Sequence, residues 1–123
     1  MEIRLDHEPA KCIEQWGWVY HHLGLPTKEK KPDETYLPAF KFYASGFRTS
    51  PFGIEWMRFE EDSPLPPLIQ TTPHLAFVVG DLDYELANRD LHVITEPNQP
   101  SSGVRVAMIE YNGVPIELME FCG

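Results

Sequence analysis

Gly53-Ile54-Glu55-Trp56-Met57-Arg58-Phe59 and Pro115-Ile116-Glu117-Leu118-Met119-Glu120-Phe121 align without a gap, and four of the seven positions are identical. Isoleucine, glutamate, methionine and phenylalanine return in the same order. Each stretch closes one half of the chain, and the two halves share an order of elements: strand, helix, then strands. We read this as an internal duplication. A strand turns successive side chains to opposite faces, so Glu117 shares a face with Pro115, Met119 and Phe121, while Ile116 and Leu118 take the other. Both faces are largely apolar, which predicts a strand covered on both sides. A carboxylate there is costly unless something pairs with it, and Glu55 sits in the same predicament between Ile54 and Trp56.

Working backwards from Glu117, Val104–Tyr111 and Val114–Phe121 read as strands joined at Asn112–Gly113, a strong hairpin signal. Leu91–Ile94 reads as a further strand, and Glu96–Gly103 as a polar loop with two prolines. His74–Val79 is a buried-looking strand, followed by Asp81 as the N-cap of a helix running to Asn88. In the first half, Glu2–Asp6 alternates like a short strand. Pro9 opens a helix whose stripe is Ala10, Ile13, Gly17, Tyr20 and Leu23, with Gly24 as its stop. Residues 26–38 form a charged, proline-bearing loop, and Phe40–Ser45 and Gly53–Glu60 are strands. Four prolines, Pro64, Pro66, Pro67 and Pro73, mark a stiff connector after Asp62. The expected organisation is therefore a single domain over residues 1–123, with a first module at 1–62, a connector at 63–73 and a second module at 74–123.

Two buried glutamates and a histidine at strand positions suit a divalent cation, which neutralises the carboxylates and takes the imidazole nitrogen. His74, at the start of the second half, supplies that histidine. The bland alternative gives Glu55 and Glu117 a base each from Arg58, Arg105 or Lys41, and gives His74 a backbone carbonyl. Other residues carry less. His21 and His22 fall on the predicted first helix about 100° apart and so do not share a metal; they suit the C-terminal end of the helix dipole. Trp16 and Trp18 read as core or interface, residues 60–62 as a solvated strand end, and His92 as an isolated histidine. No phosphate-binding glycine loop, nucleophile motif or HExxH is present.

The 123 residues suffice for one core without staples, and 42% hydrophobic with 24% charged content is globular. No apolar run approaches the ~20 residues a bilayer-spanning helix needs. The formal charge of −9 opposes binding to nucleic acid or anionic membrane. Cys12 and Cys122 read as free thiols, and with no leader-like N-terminus the expected location is the cytoplasm.

Pro73-His-Leu-Ala-Phe-Val-Val-Gly-Asp-Leu82 and Asn112-Gly-Val-Pro-Ile-Glu-Leu-Met-Glu-Phe121 together resemble the second module of the vicinal oxygen chelate superfamily, the group of glyoxalase I, bleomycin-resistance proteins, extradiol dioxygenases and methylmalonyl-CoA epimerase. The resemblance covers about Phe40–Phe121. It implies an α+β fold of paired βαβββ modules forming an open curved barrel around a central cavity. It also implies metal ligands at His74, Glu117 and Glu55, with His7 as the fourth by analogy of Leu-Asp-His with Thr-Pro-His, or Glu2 when the halves are aligned by their helices. A divalent metal (Zn, Ni, Mn or Fe) would then serve a lyase or isomerase of the glyoxalase type. Its small oxygen-bearing substrate would be chelated through two oxygens, with Glu117 or Glu55 abstracting a proton. The alternative is a metal-free, drug-sequestering binder lined by Phe42, Trp56, Phe59 and Tyr111, and a purely structural role is a third reading. A homodimer is expected by resemblance alone.

Overall fold

The computed structural model describes Arg4 and residues 6–122. Its centre is one eight-stranded mixed sheet curled into a half-barrel, with few helices among the described residues, which is the α+β open curved barrel expected. The strands are β1 (Val19–Pro26), β2 (Thr35–Leu37), β3 (Phe42–Ser45), β4 (Ile54–Phe59), β5 (His74–Val78), β6 (His92–Ser101), β7 (Val104–Tyr111) and β8 (Val114–Phe121). They lie in the order β2-β3-β4-β1-β5-β8-β7-β6. β1 runs parallel to β4, β5 runs parallel to β8, and β1 meets β5 antiparallel at the centre. The two halves are thus related by an approximate two-fold axis between β1 and β5.

The second half follows its sequence closely. Asn112 and Gly113 take φ of 50° and 85°, the pair of positive values that a two-residue turn matched to strand twist requires. Asp81 accepts a 3.0 Å hydrogen bond from the backbone N–H of Tyr84 and caps helix α3, Leu82–Asn88. That helix covers the back of the sheet. Leu82 and Leu118 are fully buried there with Trp18, Phe77, Val79, Ala107 and Ile109. Trp18 adds a 2.9 Å bond from its indole N–H to Glu85. The strand expected at Leu91–Ile94 instead runs as β6 to Ser101, through the segment expected to be loop. Pro97 and Pro100 are tolerated because β6 is the edge of the sheet, and its register slips three times.

The first half departs from expectation. The helix expected from Pro9 to Leu23 is only one turn, α1 (Lys11–Glu14). Gly17, at φ 74°, turns the chain out of it, and residues from Val19 on are β1. The predicted stripe counted Gly17 as a helical position, although left-handed backbone ends a helix. The strand expected at Glu2–Asp6 falls largely outside the described residues. Between β1 and β2 there is no helix at all, so this half runs strand, loop, then three strands. Its loop is pinned to β4 and β3 instead. The Glu34 carboxylate accepts two 2.8 Å bonds from Arg58, Arg58 lies 4.2 Å over Tyr43, and Lys31 Nζ lies 4.4 Å over Trp56. The connector contains one short helix, α2 (Pro67–Thr71), whose Ile69 is buried.

Candidate metal centre

The four central strands each deliver one side chain to the concave face: His22 from β1, Glu55 from β4, His74 from β5 and Glu117 from β8. Strand register explains the convergence. Gly24 pairs with Glu55 and Ala76 with Glu117, while His22 pairs with Ala76 and Gly24 with His74. Exchanging the halves therefore maps His22 onto His74, Gly24 onto Ala76 and Glu55 onto Glu117. The sequence repeat His22-Leu-Gly-Leu against His74-Leu-Ala-Phe carries the same correspondence.

His22, His74 and Glu117 offer donor atoms that all lie within 4.8 Å of one another. His74 Nε2 is 3.0 Å from Glu117 Oε1 and 3.4 Å from His22 Nε2. His22 Nε2 is 3.4 Å from Glu117 Oε1 and 3.9 Å from Glu55 Oε1. Bonds of about 2.0–2.1 Å to a common cation place neighbouring donors about 2.9–3.4 Å apart, so the triad already has that spacing and Glu55 stands slightly outside it. The histidine side chains are 3% and 1% exposed, and Glu55 and Glu117 are 21% and 16% exposed. None of the bases considered as partners reaches the two glutamates. Arg58 is taken by Glu34, Lys41 by Asp62, and Arg105 by Asp83 and Glu120. Two carboxylates facing two imidazoles, with no lysine or arginine compensating them among the described residues, is a donor set that fits a divalent cation.

The electrostatics separate the two glutamates. Burial pushes the Glu117 carboxyl up, but hydrogen bonds to His22 and His74 outweigh it and hold the group at about 2. Burial pushes Glu55 above the usual carboxylate range, reinforced by the charge of Glu117 and only partly countered by the histidines. For His22, burial works against the charged form, but the hydrogen bond and charge of Glu117, with Glu55 behind it, raise it overall. His21 is pushed down, first by burial and then by His22.

Of the residues expected from the sequence, His74 and Glu117 lie 3.0 Å apart within the cluster, and Glu55 stands at its edge, 3.9 Å from His22. His7 is exposed and outside the cluster, and Glu2 lies outside the described residues. The place of a fourth, symmetric donor is filled by His22. The helix expected over this stretch excludes His22 as a ligand, whereas His22 stands on strand β1. The cluster sits in a cavity of about 880 Å³ whose walls include Phe42, Met57, Val106, Met108 and Met119. Of the aromatics expected to line it, Phe42 and Trp56 do so. Tyr111 is instead 67% exposed.

The fold and this cluster define an open barrel of two related halves with a candidate metal site between them. Several solved structures share that fold. A hypothetical protein from Bacillus halodurans C-125 superimposes with a TM-score of 0.67 at 20% identity, over 86% of this chain and 96% of its own. Methylmalonyl-CoA epimerase from Mycobacterium tuberculosis superimposes with a TM-score of 0.63 at 20% identity, over 85% and 89%. No protein-family profile and no curated protein sequence matches the chain. Among the described residues no helix is long and apolar enough to cross a membrane.

Proposed function

We propose that the chain is a metal-dependent isomerase or lyase of the glyoxalase type, a member of the vicinal oxygen chelate superfamily acting on a small oxygen-bearing substrate. The observation that carries this reading is the two-fold set His22, Glu55, His74 and Glu117 at the centre of the cavity. The fold shared with an epimerase agrees with it. A divalent cation (Zn, Ni, Mn or Fe) held by these residues would supply Lewis acidity toward two substrate oxygens.

The chain's own residues then divide the work. Glu117, bonded to both histidines, stays ionised and acts as a holding ligand. Glu55 has the weaker tether and the higher proton affinity, so it is the general base. It takes a proton from the carbon next to the substrate carbonyl, and returning that proton to carbon completes an isomerisation. Phe42, Met57, Met108 and Met119 exclude water from the reacting carbon. The test is a panel of small 2-oxo, 2-hydroxy and thioester compounds incubated with metal-loaded protein in D2O. Deuterium should appear at the carbon beside the carbonyl, and Glu55→Gln should abolish its uptake while metal remains bound. Deuterium uptake unaffected by Glu55→Gln would remove Glu55 from the role.

The size and apolar walls of the cavity favour a second reading, a metal-free binder of drug-like molecules. It predicts a rise in melting temperature with a planar or cationic ligand and none with Ni²⁺, Zn²⁺, Mn²⁺ or Fe²⁺. A cytoplasmic homodimer belongs to the proposal as well, on the strength of the resemblance and the reduced cysteines. Sedimentation analysis of the purified protein tests the dimer.

A further inference from the structure

His21 is out of place for a strand residue. Side chains of adjacent strand residues point to opposite faces, yet His21 and His22 both line the cavity and their Nδ1 atoms are 2.7 Å apart. The cause lies in the pairing of β1 with β5. Tyr20 pairs with Phe77 and His22 with Ala76, so two steps along β1 match one step along β5. His21 is the extra residue of a β-bulge, the device that re-aims a side chain within a sheet. Its ring is then clamped by Phe47, stacked at 4.6 Å between centroids and 5° between planes.

At 2.7 Å two N–H groups, or two lone pairs, repel each other, so one of these imidazoles donates to the other. Which one donates is set by the other side of His22. Its Nε2 faces Glu117 and His74, and as a metal donor Nε2 must carry a lone pair. A neutral His22 then holds its proton on Nδ1, where the partner at hydrogen-bond distance is Nδ1 of His21. We propose that His21 is the positioning residue of this centre: its Nδ1 accepts the Nδ1–H of His22 and fixes the tautomer and ring orientation that turn the Nε2 lone pair toward the cation. This inference rests on the metal reading above. It follows the general rule that a metal-bound histidine donates its other N–H to a fixed acceptor. The two halves differ here, because Nδ1 of His74 is buried without a partner.

The test uses the full chain, chelator-buffered Zn²⁺ titrations and imidazole ¹⁵N spectra. In the zinc-loaded protein the His22 proton is expected on Nδ1 and the His21 proton on Nε2. His21→Phe keeps an aromatic ring against Phe47 but removes the acceptor, and should weaken zinc binding about 10- to 100-fold. His21→Asn places an amide oxygen near the former Nδ1 and should recover most of that loss. The inference is overturned if His21→Phe binds zinc within about twofold of wild type, well short of the loss an outer-shell partner causes. It is equally overturned if His21→Asn is as weak as His21→Phe, or if the zinc-loaded His22 carries its proton on Nε2. A wild-type protein that takes up no zinc or other divalent metal sinks the metal reading and this inference together, and is told apart by the wild-type titration alone.

Discussion

Gly24 lies directly opposite His74 on the neighbouring strand, and a Cβ at Gly24 would stand 2.0 Å from Cε1 of the His74 ring and 2.5 Å from its Nδ1. No other side chain than hydrogen leaves that ring room. The His74 imidazole therefore occupies space that the opposing strand leaves empty, and the sheet and the candidate site are specified by the same glycine.

Gly24→Ala should displace the His74 ring from Glu117. The backbone at Gly24 is ordinary extended strand, so the cost is steric: about 1–3 kcal/mol of stability, as for other overpacked sites. Divalent-metal affinity should fall with it. Adding His74→Ala to Gly24→Ala should restore stability but not metal binding. Chemical denaturation and metal titration of the single and double variants check this, and a Gly24→Ala protein that binds metal like wild type would contradict it.

Glu34 gives a stability signature at acid pH. The Arg58 guanidinium beside it, against the opposing effect of burial, holds its carboxyl at about 2, below the usual 4.5. Because the folded value is the lower one, Glu34 stabilises the protein fully above about 4.5, and that contribution is lost as pH falls toward about 2. The melting-temperature gap between wild type and Glu34→Gln should be constant above pH 5 and close as the pH falls from about 4.5. A gap that stays constant down to pH 2 would contradict the ion pair.

Leu118 is fully buried in the layer between α3 and the back of the sheet. Leu118→Ala should cost about 2–5 kcal/mol in urea unfolding. Tyr111→Ser, at a position 67% exposed, should change stability by no more than about 0.5 kcal/mol. Equal losses in the two variants would mean that Leu118 does not lie in the core.

The second half was legible because its signals were local. Asn112–Gly113 fixed a hairpin, Asp81 a helix start, and alternation along Val114–Phe121 put Glu117 on the concave face and Leu118 on the other. The first half misled for two reasons. Residues Ala10, Ile13, Gly17, Tyr20 and Leu23 fit a helical period, but Gly17 turns the chain through left-handed backbone and the β-forming Val19 and Tyr20 follow it. The helix that aligned the second half also has no counterpart between β1 and β2, so counting from helices points to Glu2, while the analogy of Leu-Asp-His with Thr-Pro-His points to His7. The better guide was already present in the pair His22-Leu-Gly and His74-Leu-Ala, a histidine two residues before the small residue that faces each glutamate. The bulge that brings His21 beside His22 leaves no comparable trace, because it arises from a register shift between strand pairs, Tyr20 with Phe77 and His22 with Ala76, that lie far apart in sequence.

On the metal reading proposed above, His22 rather than His7 completes the site with His74, Glu117 and Glu55. Elemental analysis of the purified wild-type chain and of the His22→Ala, His74→Ala and His7→Ala variants tests it most directly. The wild-type chain should hold about one divalent transition metal, since these donors converge on a single centre. That metal should be lost in His22→Ala and His74→Ala and retained in His7→Ala. A metal-free wild type, or metal retained in His22→Ala and lost in His7→Ala, would contradict this reading.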